Sequence, residues 1–121
     1  MIRNLVTAIA VALGLFATPA AAAELVMFEA RGCPYCAAWN REVAPAYARA
    51  PEAVRAPLRR VDLHGARPPD LAGISGVRFT PTFVLVEDGR EIGRIEGYAG
   101  EDFFWGLLTP MMERLSPAAG R

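Results

Sequence analysis

Cysteine is a nucleophile as its thiolate, and this chain of 121 residues has two cysteines, Cys33 and Cys36. They follow an apolar run at residues 25–28 that is typical of a β-strand, and Pro34 between them suits the first position of a helix. A strand that leads into a Cys-x-x-Cys at the start of a helix is the arrangement of a thiol–disulfide exchange site. The spacing therefore predicts a redox function.

Three other interpretations of the cysteine pair compete with redox exchange. A structural disulfide that closes a loop of about four residues would stabilise the fold by only about 2 kcal/mol. A structural zinc site needs a full set of four Cys or His ligands, and the chain offers only these two cysteines and one histidine, His64. The third alternative is a pair of inert buried thiols. Redox exchange is the interpretation that we favour.

The first 23 residues form a predicted signal peptide, with Arg3 at the charged start, an apolar core over residues 5–16 and small residues before an expected cleavage after Ala23. Residues 24–121 are then the mature chain, too short for more than one ordinary domain. An uncleaved membrane anchor is the alternative, because the segment is long enough to span a bilayer. We expect a cleaved, exported protein, which in a bacterial host is periplasmic.

The charge balance argues against nucleic acid or an anionic membrane as a partner. The chain has 13 basic and 13 acidic residues, and all of the basic residues are arginine. Without Arg3, the mature chain would carry a net charge of −1. Such a chain lacks the basic excess that binds phosphates, and it has no lysine to act as a catalytic amine.

The elements that must position the cysteines follow in the order β-α-β-α-β-β-α. The four strands are expected at Leu25–Glu29, Leu58–Leu63, Thr82–Val86 and Arg90–Glu96, and Asp88-Gly89 indicates a hairpin between the last two. This order predicts an α/β fold, with a mixed four-stranded sheet and helices on both of its faces.

The helices are predicted from proline, glycine and apolar spacing. The first begins at Pro34, directs Ala37, Trp39, Val43 and Tyr47 towards the core, and breaks near Ala44 because of Pro45. Pro51 is able to start a short helical turn, and a short helix is expected from Pro68 to Ile74, before Gly76. The last helix begins near Glu101 and buries Phe104, Leu108, Met111 and Leu115, with a kink expected at Pro110.

With these elements in place, the chain resembles the thioredoxin superfamily over residues 24–116, as a minimal, glutaredoxin-like core. The matches are the strand and CPYC at residues 33–36, FTPTF at residues 79–83, the Asp88-Gly89 hairpin and Gly97 after the fourth strand. The runs 27–36, 42–45 and 56–62 are also similar to small periplasmic thioredoxin-like proteins of sulfur-oxidation (Sox) systems.

The expected chemistry divides between the two cysteines. Cys33 lies at the helix N-terminus, where free N–H groups and the helix dipole favour a thiolate, so it should be the nucleophile. Cys36 lies one turn further on and should resolve the mixed disulfide. Pro34 and Tyr35 are expected to tune this reaction through helix geometry and local polarity.

The resemblance assigns further residues to a substrate groove. It implies that Pro81 is a cis-proline that faces the cysteines, and that the backbone of Thr80 pairs with an extended target peptide. Gly97 and Tyr98 are expected to border the groove, together with Tyr35. An ordinary proline at the start of a strand is the alternative for Pro81.

The chain departs from thioredoxins at Met27, where the family keeps a buried aspartate. Glu29 or water is the expected substitute as proton acceptor for Cys36, although Glu29 also fits an exposed residue at a strand end. Arg31 is either a partner of the Cys33 thiolate or a solvated charge. His64 is interpreted as a loop residue, and copper binding by His64 with the two cysteines is the remaining alternative.

Three functions are compatible with these residues. The first is a thiol–disulfide reductase that keeps a partner protein's cysteine reduced and is itself reduced by a membrane thiol electron carrier, because the periplasm is oxidising. The second is an oxidase or isomerase of exported proteins, and the third is a copper-binding or regulatory module. We expect a monomer that needs no cofactor.

Overall fold

The computed structural model describes residue 14 and residues 23–117 of the chain. Within residues 23–117 there are four strands, four α-helices and one 3-10 helix. In chain order they are β1 (Ala23–Glu29), α1 (Pro34–Glu42), α2 (Ala44–Tyr47), α3 (Pro51–Arg55), β2 (Leu58–Asp62), the 3-10 helix (Pro69–Leu71), β3 (Thr82–Glu87), β4 (Arg90–Glu96) and α4 (Glu101–Met112).

The four strands form one mixed sheet in the order β2-β1-β3-β4. Strand β1 runs parallel to β2, with Met27 opposite Arg60, and antiparallel to β3, with Phe28 opposite Thr82. Strands β3 and β4 form the hairpin that Asp88-Gly89 predicted, and both turn residues have positive φ angles, 51° and 75°. The cysteine motif therefore follows a central strand, which is buried on both of its faces.

Each face of the sheet carries its own apolar cluster. On one face, Leu25, Met27, Phe83 and Leu85 pack against α1, α2 and α4 around the fully buried Trp39. On the other face, Val26, Phe28, Val84 and Val86 pack against Val61, Leu71 and Ile74. The alternation of side chains along a strand explains why neighbouring apolar residues of β1 belong to different clusters.

The predicted fold class is confirmed, and two details of the prediction are wrong. The helix expected from Pro68 to Ile74 is a single 3-10 turn over Pro69–Leu71, because the two prolines remove backbone donors and Gly73 follows at once. The face of the sheet that carries Val26 and Phe28 is therefore covered by this 3-10 turn and the adjoining loop. The four α-helices of residues 23–117 pack on the opposite face, around Trp39. Ala37 is exposed, since Cys36 occupies the inward position of that turn.

The proline-rich stretch after the motif behaves as predicted. Helix α1 ends at Glu42, and Pro45 lies in the first turn of the separate helix α2, because proline has no N–H to continue the α1 ladder. Pro51 opens helix α3. Pro110 lies inside α4, which continues to Met112.

The signal-peptide prediction concerns residues that lie outside the described range, apart from Gly14 and Ala23. Ala23, the last residue of the predicted signal, is the first residue of β1 and is paired with Glu87. No helix in residues 23–117 has both the length and the apolar character needed to cross a membrane.

Candidate active site

Cys33 is the N-cap residue of α1. Its backbone is extended (φ −85°, ψ 106°) and Pro34 follows in the first turn of the helix, where a missing N–H costs nothing. The Cys36 N–H donates a hydrogen bond to Cys33 Sγ at 3.1 Å, and the Ala37 N–H donates to the Cys33 carbonyl at 3.1 Å. The first turn of α1 therefore directs two backbone donors towards Cys33.

Cys33 and Cys36 are joined by a disulfide, with their Cα atoms 5.2 Å apart. Cys33 is half-buried, whereas Cys36 is only 4% exposed and belongs to the core cluster around Trp39. A thiol on a partner molecule therefore has access to the Cys33 sulfur and not to the Cys36 sulfur. This difference in exposure matches the two expected roles of nucleophile and resolving cysteine.

The segment before β3 lies beside the loop that carries the cysteines, because β1 and β3 are antiparallel and Phe28 is opposite Thr82. The Thr80–Pro81 peptide bond is cis. Two hydrogen bonds hold this segment in place: Thr82 Oγ1 donates to the Phe79 carbonyl at 2.7 Å, and the Gly97 N–H donates to the Pro81 carbonyl at 2.7 Å.

Two aromatic side chains are exposed next to the disulfide and the cis-proline. Tyr35, inside the motif, is 63% exposed, and Phe79, two residues before Pro81, is 60% exposed. Arg31, two residues before Cys33, is also exposed. An exposed aromatic side chain offers a large apolar contact area to a partner, so this rim is suited to contact a protein.

Tyr98 lies in the turn after β4 and is partly buried. Burial of the hydroxyl, with a smaller contribution from the neighbouring Glu42, raises the pKa of Tyr98 above its usual range. Tyr98 lines an apolar groove of about 280 Å³ with Phe103, which is 64% exposed, and Leu107. Gly97, at the start of the same turn, has a φ of 83°, which favours glycine.

A second cavity, of about 400 Å³, lies beside the disulfide. It is lined by Glu29, Ala30, Gly32, Cys33, Pro34, Cys36, Ala37 and Asn40. Met27 is fully buried below in the core. Glu29 is the carboxylate that reaches this cavity, and its Oε2 accepts a hydrogen bond from Arg60 Nη1 at 2.7 Å.

Arg60 and Asn40 were not expected at the site from the sequence. Arg60 belongs to β2, and the parallel register that places it beside Met27 is not visible in the sequence. Asn40 lies four residues after Cys36 in α1, so its place on the same face of the helix could have been found from helical spacing. Asn40 lines the cavity beside the disulfide, and Arg60 contacts that cavity through its hydrogen bond to Glu29.

Other aromatic side chains belong to the core around Trp39, whereas His64, the alternative copper ligand, lies at the surface. Trp39 and Phe104 are core residues whose ring centroids lie 5.5 Å apart, and Trp105 is partly buried. His64 is exposed, and its backbone N–H donates to Asp62 Oδ1 at 3.0 Å. Among the described residues, no three His, Cys, Asp or Glu side chains are grouped in a way that could hold a metal ion.

The fold and the cysteine pair at the start of α1 define the class of thiol–disulfide oxidoreductases. A family model of the thioredoxin-like domain matches residues 17–111. The periplasmic thioredoxin SoxS from Paracoccus pantotrophus, solved in its reduced form, is 46% identical, with a TM-score of 0.71 over 76% of this chain and 97% of that one. The chain therefore belongs to the thioredoxin-like family, and the resemblance found in the sequence is confirmed.

More distant structures share the fold alone. A thioredoxin from Malassezia sympodialis is 22% identical, with a TM-score of 0.61 over 77% of this chain and 80% of that chain. Thioredoxin f from spinach chloroplast is 21% identical, with a TM-score of 0.56 over 80% of each chain. No curated protein sequence matches the chain.

Proposed function

We propose that the protein is a periplasmic protein-disulfide reductase that keeps the cysteine of a partner protein reduced. The observation that carries thiol–disulfide exchange is the unequal exposure of the two cysteines at the start of α1, with Cys33 half-buried and Cys36 4% exposed. Similarity to the periplasmic thioredoxin SoxS at 46% identity supports the compartment.

The proposed reaction begins with the reduced pair. The Cys33 thiolate attacks a sulfur of the partner disulfide and forms a mixed disulfide, and the other partner sulfur leaves as a thiolate. The Cys36 thiolate then attacks Cys33 Sγ, and the second partner sulfur leaves. The partner disulfide gains two electrons, and the Cys33–Cys36 pair loses two and forms the disulfide present in this structure.

The expected groove residues have roles in binding the partner. We assign the backbone of Thr80, next to the cis bond of Pro81, to short strand-like pairing with an extended partner segment. Tyr35 supplies an exposed apolar contact. Gly97, whose N–H donates to the Pro81 carbonyl, and Tyr98 after it are assigned to the border of the groove on the β4 side. Pro34 and Arg31 tune the Cys33 thiolate through the start of the helix and through charge.

The donor of electrons in this proposal is a membrane thiol electron carrier, because the bacterial periplasm is kept oxidising. Export requires the N-terminal signal, cleaved after Ala23, and the mature chain would act as a monomer. The relevant partner is a protein thiol or disulfide, with no cofactor between the two cysteines and the substrate.

The experiment is to measure the redox state of Cys33 and Cys36 in living cells. Cells are quenched with acid and labelled with a mass-tagged maleimide, in strains with and without the membrane carrier. A reductase is expected to be mainly reduced, and to become oxidised when the carrier is deleted. A pair that is oxidised in both strains contradicts the reductase and favours a disulfide donor.

A further inference from the structure

The cavity beside the disulfide is lined by both cysteines and by two residues that carry side-chain oxygen acceptors, Glu29 and Asn40. Asn40 Oδ1 is buried and accepts no hydrogen bond within residues 23–117. Glu29 Oε2 is occupied by Arg60, and in the same part of the chain its second oxygen, Oε1, accepts no hydrogen bond from a side chain.

Three contacts fix the guanidinium of Arg60 on the α1 side of the sheet. Nη1 lies 2.7 Å from Glu29 Oε2 and 3.5 Å from Met27 Sδ, and Cζ lies 5.9 Å from the ring centroid of Trp39. The two charged side chains are 42% and 31% exposed, so their ion pair contributes little to stability. The Arg60–Glu29 pair instead holds the Glu29 carboxylate in position.

The resolving step needs a proton acceptor near Cys36. The Cys36 thiol must become a thiolate before it attacks Cys33 Sγ, and its 4% exposure limits its contact with bulk water. The core residue Met27 offers no basic group. Among residues 23–117, Glu29 is the one carboxylate that lines the same cavity as Cys36.

We propose that Glu29 accepts the Cys36 proton in the resolving step, and that Arg60 is the positioning residue that holds the carboxylate at the cavity. This inference rests on the proposed function, since it concerns the second half of the same reaction. The proton moves from Cys36 Sγ to Glu29 Oε1, the Cys33–Cys36 bond forms, and the bond from Cys33 to the partner breaks. The departing partner thiolate then takes up a proton from Glu29 or from water.

Other charged groups also face Glu29. Arg60 and Asp62 belong to β2, and Asp62 is opposite Glu29 in the parallel register. Arg31 follows in the loop after β1. The residues of α1 and its N-cap that line the cavity carry no charged side chain; they are Cys33, Pro34, Cys36, Ala37 and Asn40. A carboxylate is a weaker base than a thiolate by about four pKa units, so we expect roughly a tenfold effect on the rate, below the usual range for general-base catalysis.

The test separates the two chemical steps in one stopped-flow experiment. Reduced protein is mixed with dipyridyl disulfide, which releases one coloured pyridinethione when Cys33 attacks and a second when Cys36 resolves. We expect Glu29→Gln to lower the rate of the second pyridinethione release roughly tenfold relative to the rate of the first. Arg60→Met should slow the second release in the same direction, and Arg60→Lys should restore most of it, because lysine still pairs with a carboxylate.

The matched control is a second ion pair between the same two strands. Arg59 of β2 contacts Glu24 of β1 at 3.4 Å, with similar exposure, about 16 Å along the strand from Glu29. Glu24→Gln removes a strand carboxylate and should leave the rates of both pyridinethione releases unchanged. Acetate added to Glu29→Ala should restore the second release in proportion to its concentration, which a purely structural role for Glu29 would not produce.

Two results would overturn the inference and leave the proposed function intact. One is a second release that is unchanged in Glu29→Gln. The other is opposite changes in Glu29→Gln and Arg60→Met, which would mean that the pair only alters thiolate stability by its charges. By contrast, a first release that persists at the same rate in Cys33→Ser would contradict the proposed role of Cys33 itself.

Discussion

The Cys36 N–H donates a hydrogen bond to Cys33 Sγ at 3.1 Å, across the first turn of α1. A side chain at the N-cap normally accepts such a bond through oxygen, and here the acceptor is sulfur. A thiolate at this position would receive the same donor and would also lie at the positive end of the helix dipole. The geometry that begins the helix is therefore the geometry that favours an anionic Cys33.

Substitution of the two cysteines should have unequal consequences. With Cys36→Ser, the first attack proceeds and the mixed disulfide has no resolving thiol, so a covalent complex with a disulfide-bonded partner should accumulate. Cys33→Ser, which leaves only the 4% exposed Cys36, should form little of this covalent complex. Mass spectrometry of the trapped species under non-reducing conditions measures both. Equal trapping by the two variants would contradict the division of roles.

Tyr47→Phe should destabilise the oxidised protein by about 1–2 kcal/mol. The Tyr47 hydroxyl donates a hydrogen bond to the Ala56 carbonyl, and both residues are buried, so the substitution leaves an unpaired carbonyl in the core. Urea unfolding measures the difference. Tyr35→Phe is the matched control, because Tyr35 is 63% exposed and its loss of a hydroxyl should change stability by less than about 0.5 kcal/mol.

The same tyrosine makes stability depend on alkaline pH. Burial, and to a lesser extent Glu52, raises the pKa of Tyr47 in the folded protein. In the unfolded chain a tyrosine ionises near pH 10. The contribution of Tyr47 to the free energy of unfolding is therefore fully present below about pH 10. It falls as the pH rises further, because at first only the unfolded chain releases the tyrosine proton.

Tyr47→Phe should reduce this alkaline loss of stability, measured as the urea midpoint across a pH series. Part of the decrease of the urea midpoint with pH should remain, since the pKa of Tyr98 is also raised. The double variant Tyr47→Phe with Tyr98→Phe should show a still smaller decrease. Identical slopes in the wild type and in Tyr47→Phe would show that Tyr47 does not control the alkaline transition.

Two glycines near α4 should respond to alanine in opposite directions. A Cβ at Gly93 in β4 would lie 2.8 Å from Arg114 Nη2 and 3.1 Å from Met111 Cγ. Gly93→Ala should therefore lower the free energy of unfolding by about 1 kcal/mol. A Cβ at Gly106, inside α4, meets nothing within 4 Å. Gly106→Ala should therefore raise the free energy of unfolding by about 0.5–1 kcal/mol, because alanine has the higher helix propensity. Thermal unfolding of the two variants side by side checks both signs.

Asp70 should titrate below the usual range of an aspartate. Hydrogen bonds from Arg59 Nη1 and Nη2, at 2.5 Å and 3.0 Å, hold the pKa of the Asp70 carboxyl down. The contribution of this pair to folding is present above the ordinary aspartate pKa and is lost as the pH falls below it. Arg59→Met should return Asp70 to the usual range in an NMR titration, and an unchanged titration would show that the pair does not form in solution.

Several features followed from the sequence because they depend on local spacing. The strand before Cys33, the helix that Pro34 starts and the hairpin at Asp88-Gly89 each need only a few consecutive residues to be recognised. The fold class followed from the order of these elements and from the resemblance of the motifs. The break at Pro45 followed from the missing N–H of proline, which acts in any context.

Other features were decided by contacts between distant segments. The parallel register of β1 and β2 brings Arg60 to Glu29, 31 residues earlier in the chain, and no local pattern encodes that register. The second face of the sheet is closed by one 3-10 turn and a loop because Leu71 and Ile74 already fill the space there. The two cysteines and the elements that carry them were recognisable from a few consecutive residues, since they depend on local backbone chemistry. The pairing of Arg60 with the Glu29 carboxylate beside the cysteines depends on how the strands pair across the sheet, so it became visible only in the folded chain.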